Sequence, residues 1–191
     1  GAYAGQSFKN GPDGRLCFIA WHWNYNFEPE SSQSLSLPMD LKLRGGRLLA
    51  FPAEELKQLR REEFRLGGAD FRVRVPNPLP YDTDLWEVEL TTADCGVTRL
   101  TLGGAAAVFD SERRQLVIGG ACLPYPDGER RFRGRIFIDR NTIEIFEHEG
   151  RIFHSVGVDR HDTTPVSYGD LWQETIVPEL TVYRLQSIHP R

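Results

Sequence analysis

Arg135-Ile136-Phe137-Ile138-Asp139-Arg140-Asn141-Thr142-Ile143-Glu144-Ile145-Phe146-Glu147-His148-Glu149-Gly150 is the stretch that decides the fold of this chain. Ile136 and Ile138 alternate with Arg135, Phe137 and Asp139. After a short turn, Ile143 and Ile145 alternate with Thr142, Glu144 and Phe146. Successive side chains of a strand point to opposite faces, so the pattern predicts a β-hairpin that buries its isoleucines. The same parity puts Asp139 and Glu144 on the outward face beside Arg135 and Arg140. His148-Glu149-Gly150 supplies the next reversal, into a strand over residues 151–158.

Similar units extend from this hairpin in both directions. Trp86, Val88 and Leu90 share one face of a strand. Residues 108–110 and 115–118 read as two arms of a hairpin whose charged turn, 111–114, stays in water. Residues 180–185 again show period two, and residues 71–75 read as the first strand of this half. Gly103-Gly104 and Gly119-Gly120 mark strand ends or bulges. Many short antiparallel strands without a long helix predict an all-β, two-sheet antiparallel β-sandwich or jelly roll over residues 64–191.

The remainder divides in two. Residues 51–63 read as a linker helix, with Pro52 in the first turn, Glu54 and Glu55 near the amino end and Lys57, Arg60 and Arg61 near the other. Leu56 and Leu59 give it a narrow apolar stripe, suited to packing on a surface. Gly67-Gly68 ends that pattern. Residues 1–50 hold strands over 15–23 and 34–43, too few to be stable alone. Their apolar surface is expected to pack back on the sandwich or against another chain.

Composition narrows the function classes. The chain has 191 residues, 40% of them hydrophobic, enough for one well-buried core plus an appendage. A net charge of -4 gives no positive field for a phosphate backbone, so nucleic acid is not an expected partner. No apolar run approaches the roughly 20 residues that cross a bilayer, so no membrane is expected either, and a soluble chain, cytoplasmic or secreted, is. Cys17, Cys95 and Cys122 are odd in number and widely spaced, which argues against a disulfide framework or thiolate metal site and for reduced, part-buried thiols. No cofactor is expected.

In this order and spacing, the Ile136–Phe146 segment, the Phe51-Pro52-Ala53-Glu54-Glu55-Leu56 linker and the closing Val182-Tyr183-Arg184-Leu185-Gln186-Ser187-Ile188 resemble the C-terminal region of glycoside hydrolase family 32, the invertase, levanase and sucrose-6-phosphate hydrolase group. Tyr3-Ala4-Gly5-Gln6-Ser7-Phe8, Ala20-Trp21 and Leu35-Ser36-Leu37-Pro38 resemble the last blade of that family's five-bladed propeller. The resemblance implies a concanavalin-like jelly roll after a blade remnant. It departs from the family at Ala20, Met39 and Ile118-Gly119-Gly120, as in a divergent member. It implies as partners the missing propeller domain or a second copy of this chain, and fructose-containing saccharides as ligands.

The family's chemistry needs two carboxylates about 5 Å apart, a nucleophile and an acid/base, for retaining hydrolysis of β-fructosides. Its Asn-Asp-Pro-Asn-Gly, Arg-Asp-Pro and Glu-Cys segments do not occur here, so no residue is assigned as catalytic and the chain alone is expected to be inactive. Asn10-Gly11-Pro12-Asp13-Gly14 reads as a turn. Asp139 and Glu144 read as surface-paired carboxylates. His148, His154 and His161 match no ligand spacing and read as loop and strand histidines, with no metal. Trp21 and Trp23, beside His22, Tyr25 and Phe27, are the candidate substrate-binding residues. Sugars stack on aromatic rings, and the resemblance aligns Trp21 with a pocket-lining tryptophan. The competing reading is that both rings cover packing faces of the blade. Trp86, Trp172 and Tyr168 read as core or interface. Three functions follow: a non-catalytic, structural part of a β-fructosidase, a free-standing, lectin-like carbohydrate-binding module, or, third in order, a non-carbohydrate interaction domain.

Overall fold

A computed structural model describes residues 2–8, 11–23, 33–66, 85–158, 166–168 and 179–188 of the chain. The expected strand over 71–75, together with Tyr25, Phe27, His161 and Trp172, lies outside these residues. The strands, in order, are β1 (Ala2–Phe8), β2 (Leu16–Trp23), β3 (Gln33–Leu35), β4 (Met39–Arg44), β5 (Arg47–Pro52), β6 (Arg60–Leu66), β7 (Trp86–Thr91), β8 (Val97–Leu102), β9 (Ala105–Asp110), β10 (Gln115–Ile118), β11 (Ala121–Pro124), β12 (Arg133–Ile138), β13 (Thr142–Glu147), β14 (Phe153–Gly157), β15 (Val166–Tyr168) and β16 (Glu179–Leu185). They form three antiparallel sheets. The blade has the order β1-β2-β4-β5, with β3 also on β2; the sandwich stacks a sheet β14-β13-β12-β7-β16-β6 on a sheet β11-β10-β9-β8-β15.

The deciding hairpin is β12 and β13, with Ile136 opposite Ile145 and Ile138 opposite Ile143. All four isoleucines enter the core between the sandwich sheets, where Trp86, Val88 and Leu90 of β7 meet Leu100, Phe109 and Leu116 of the facing sheet. Each such side chain, fully buried, contributes about 1.5–3 kcal/mol, so this layer holds the domain together. The arms expected over 108–110 and 115–118 pair as β9 and β10. Gly103 and Gly104 have φ of 51° and 89°, and Gly119 and Gly120 have 55° and 79°. These pairs are therefore two-residue hairpin turns rather than bulges, a conformation with two positive φ values that glycine adopts without strain.

Phe137 and Phe146 leave the other face of the hairpin and join a second core with Met39, Ala53, Leu56 and Leu185, flanked by Phe18 and Leu41 of the blade. Every residue of β13 is consequently buried. The face read as outward is the seam between blade and sandwich. A backbone bond from the Ala50 N–H to the Gly150 carbonyl, 2.9 Å, ties β5 to the turn after β13.

Several expectations are corrected in the N-terminal half. The linker is a six-residue 3-10 helix, Glu54–Leu59, in place of a helix over residues 51–63. Pro52 closes β5, at a sheet edge where its missing N–H costs nothing. Arg60 opens β6 because its guanidinium is drawn to Glu87 and its backbone pairs with β16 opposite Leu185. The strand expected over 34–43 is split, since the Ser36 hydroxyl takes the Ala20 N–H at 2.9 Å and Pro38 has no N–H to donate. Cys17 is half-buried, whereas Cys95 and Cys122 are exposed, each lying in or beside a turn on the sandwich surface.

Candidate functional site

Trp21 sits on β2 with Tyr3 opposite it on β1 and Leu35 opposite it on β3. The Tyr3 and Trp21 rings are 4.8 Å apart and tilted by 34°. Parity along β2 sends Phe18, Ala20 and His22 to the seam and Cys17, Ile19 and Trp21 to the opposite, outer face of the blade. That face bares apolar area: Tyr3 is 46% exposed, Phe8 50% and Leu35 63%. Trp23 ends the strand opposite Gln33. A carboxylate on the outer face, Asp40, accepts hydrogen bonds from Arg15 at 3.0 Å and from the Cys17 thiol at 3.5 Å. Arg15 also holds Glu55, whose carboxyl is thereby lowered to about 2. Trp21 thus belongs to an aromatic and aliphatic surface, and the structure assembles no carboxylate pair beside it among the described residues.

The seam carries polar groups that the alternation did not reveal. Glu144 is 3% exposed and pairs with no arginine among the described residues, a correction to the surface pairing expected for it. Its Oε1 accepts the Leu37 backbone N–H at 2.8 Å, and its Oε2 has no partner. Burial pushes its pKa up to about 8, the Leu37 N–H opposes that, and the charge of Asp139 adds to it. His22 is also buried at the seam with an unpartnered Nε2, and burial lowers its pKa. One signal was available in the sequence: Phe137 and Phe146 flank Glu144 on a supposedly solvated face.

Glu87, fully buried, anchors the other side of the same sheet face. Arg60 donates to it from Nε at 2.8 Å and Nη2 at 2.6 Å, and Arg135 from Nε at 2.5 Å. Arg60 also reaches Glu89 and lies 3.8 Å above the Tyr183 ring. Two guanidinium groups on one carboxylate make a caged structural anchor, not an acid poised to protonate a leaving group. Beyond Arg135 the face opens into a groove of about 600 Å³ against Phe51 and Pro52. His148 bonds Glu147 at its rim, 2.6 Å, and His154 lies half-buried on β14. Among the described residues, no group of three or more His, Cys, Asp or Glu residues is placed to hold a metal ion, and no helix is long and apolar enough to cross a membrane.

No protein-family model and no curated protein matches the sequence. Solved structures do. Sucrose-6-phosphate hydrolase from Lactobacillus gasseri aligns with a TM-score of 0.77 at 20% identity, over 98% of this chain and 42% of its own. A Bombyx mori family 32 β-fructofuranosidase aligns at 0.70 and 18%, over 97% and 40%. Exo-inulinase from Aspergillus awamori aligns at 0.66 and 14%, over 97% and 43%. The chain therefore spans about two-fifths of the length of these enzymes. With its blade sheet, its short 3-10 linker and its two stacked antiparallel sheets, the chain has the fold of the C-terminal region of glycoside hydrolase family 32.

Proposed function

We propose that this chain is the non-catalytic C-terminal portion of a β-fructosidase-like glycoside hydrolase, built to brace a propeller that carries the reacting carboxylates. The observation that carries the reading is the asymmetry of the blade. Its inner face is sealed against the sandwich through Met39, Phe18 and Leu41. Its outer face leaves Tyr3, Phe8 and Leu35 in water around Trp21. Apolar surface of this kind marks a site where another unit packs, here the neighbouring blade of the parent enzyme or a second copy of this chain. In this reading Trp21 is a packing residue whose edge borders the fructoside pocket, and the domain boundaries fall near residues 50 and 64.

Sedimentation and fructose-release assays on the 191-residue chain test the proposal. The chain should self-associate, and Tyr3→Lys with Leu35→Lys should return it to a monomer without lowering its melting temperature. Incubation with sucrose or inulin should release no fructose. Steady release by the pure protein, abolished by heat, overturns the proposal.

A further inference from the structure

The groove beside Arg135 has its floor on the six-stranded sheet, across β12, β7 and β16. Its wall is the end of β5, Phe51 and Pro52. At about 600 Å³ it falls within the range of small-molecule sites, about 300–1,000 Å³. Arg133, Thr91 and Glu179 stand in one row across the floor, each directly opposite the next in register. Most charges around them are committed: Glu89 to Arg60, Arg65 to Glu63, Glu54 to Lys57 and Arg135 to Glu87. The side chains of Arg133, Thr91 and Glu179 hold no hydrogen bond or ion pair with the described residues. They present a cation, a hydroxyl and a carboxylate at successive strand spacings of about 4.8 Å.

We infer that this row binds a neutral, polyhydroxylated ligand, an oligosaccharide lying across the strands, at a site separate from the outer blade face. Three arginines and four glutamates line the groove, a balance that favours neither polyanions nor polycations. An extended peptide would need a free strand edge for backbone pairing. The floor offers none, because β12, β7 and β16 are each paired on both sides. Recognition there falls to side chains, and alternating donors and acceptors suit hydroxyl groups that both donate and accept. The inference rests on reading the chain as part of a saccharide-acting protein and adds a second contact to it.

The test uses the whole chain, with nystose and maltotetraose as probes in separate titrations followed by amide NMR. Saturable shifts at Thr91, Arg133 and Thr181 are expected with at least one probe. Arg133→Ala and Glu179→Ala, both at solvent-exposed positions, should each weaken binding at least about tenfold while keeping a dispersed spectrum, and Trp21→Ala should bind unchanged. Binding of maltotetraose alone would uphold the groove while counting against a fructoside-acting parent. Absence of saturable shifts with both sugars, shifts confined to the blade, or unaltered affinity in both groove variants would overturn the inference and leave the blade proposal standing.

Discussion

The Glu144 carboxyl accepts the backbone N–H of Leu37 at 2.8 Å, joining the centre of the sandwich hairpin to a blade residue 107 positions earlier. Its second oxygen is buried without a partner. The seam is therefore sensitive to the charge on one group. Burial raises its folded pKa to about 8 from the 4.5 of a free glutamic acid. A carboxyl with a raised folded pKa binds its proton more tightly in the folded state. Its stabilising contribution is then complete below pH 4.5 and declines as pH climbs from there through about 8. Every tenfold difference in proton affinity between folded and unfolded chain corresponds to about 1.4 kcal/mol. Thermal melts should show the wild type losing stability between about pH 4.5 and pH 8, and Glu144→Gln losing clearly less. Equal slopes for the two proteins would count against a protonated seam.

Glu87 should be costly to remove. Glu87→Ala leaves the largely buried Arg135 without its carboxylate and Arg60 with Glu89 alone. Losing one partner of a buried ionic cluster costs about 3–5 kcal/mol. Urea denaturation should show a loss of that size, and Glu87→Leu combined with Arg135→Met, which leaves Arg60 on Glu89, should recover much of it. A loss under about 1 kcal/mol would mean that the cage is solvated.

The turn glycines should differ from one another. A Cβ at Gly119 would lie 2.5 Å from Val156 Cγ1, whereas at Gly120 nothing lies within 4 Å; both have positive φ. Gly120→Ala carries only the left-handed backbone penalty of about 1–2 kcal/mol. Gly119→Ala adds displacement of a packed valine and should cost more in equilibrium unfolding. The reverse ranking would contradict the packing.

The two faces of β13 should report on different units. Phe146 sits 4.9 Å from Phe153 and edge-on to Phe137 at 5.9 Å, all at the seam. Phe146→Ala should cost about 3–5 kcal/mol, with hydrogen exchange rising first in β2 and β4. Ile145→Ala, on the opposite face, should instead raise exchange in β9 and β10 together with β13. Identical exchange patterns would mean that blade and sandwich open as one unit.

Much of this was legible in the sequence, for a physical reason. Ile136, Ile138, Ile143 and Ile145 alternate with polar neighbours because one wall of the core is a single sheet face, and period two records that directly. Trp86, Val88 and Leu90 follow the same rule. Period two does not record whether the second face is covered, so Glu144 read as solvated until the blade was seen to lie over it. The helix over 51–63 failed differently. Charge placement at Glu54, Glu55 and Lys57 suits a short helix as well as a long one, and its length is set by the attachment of Arg60 to Glu87, a contact between distant positions. The outer face of the blade was anticipated as apolar surface, and Trp21 was singled out, while Arg133, Thr91 and Glu179 left no local pattern because three separate strands bring them together.

The bond from Ala50 to Gly150 gives the blade a direction of growth. It caps the sheet at β5, while β1, at the other end of the order, is paired on one side only among the described strands and is placed to accept a further strand. A chain that extends the sheet at β1 lies next to the exposed Tyr3 and Phe8. A proline or lysine placed on β1 would close that edge to misassembly without touching the sandwich.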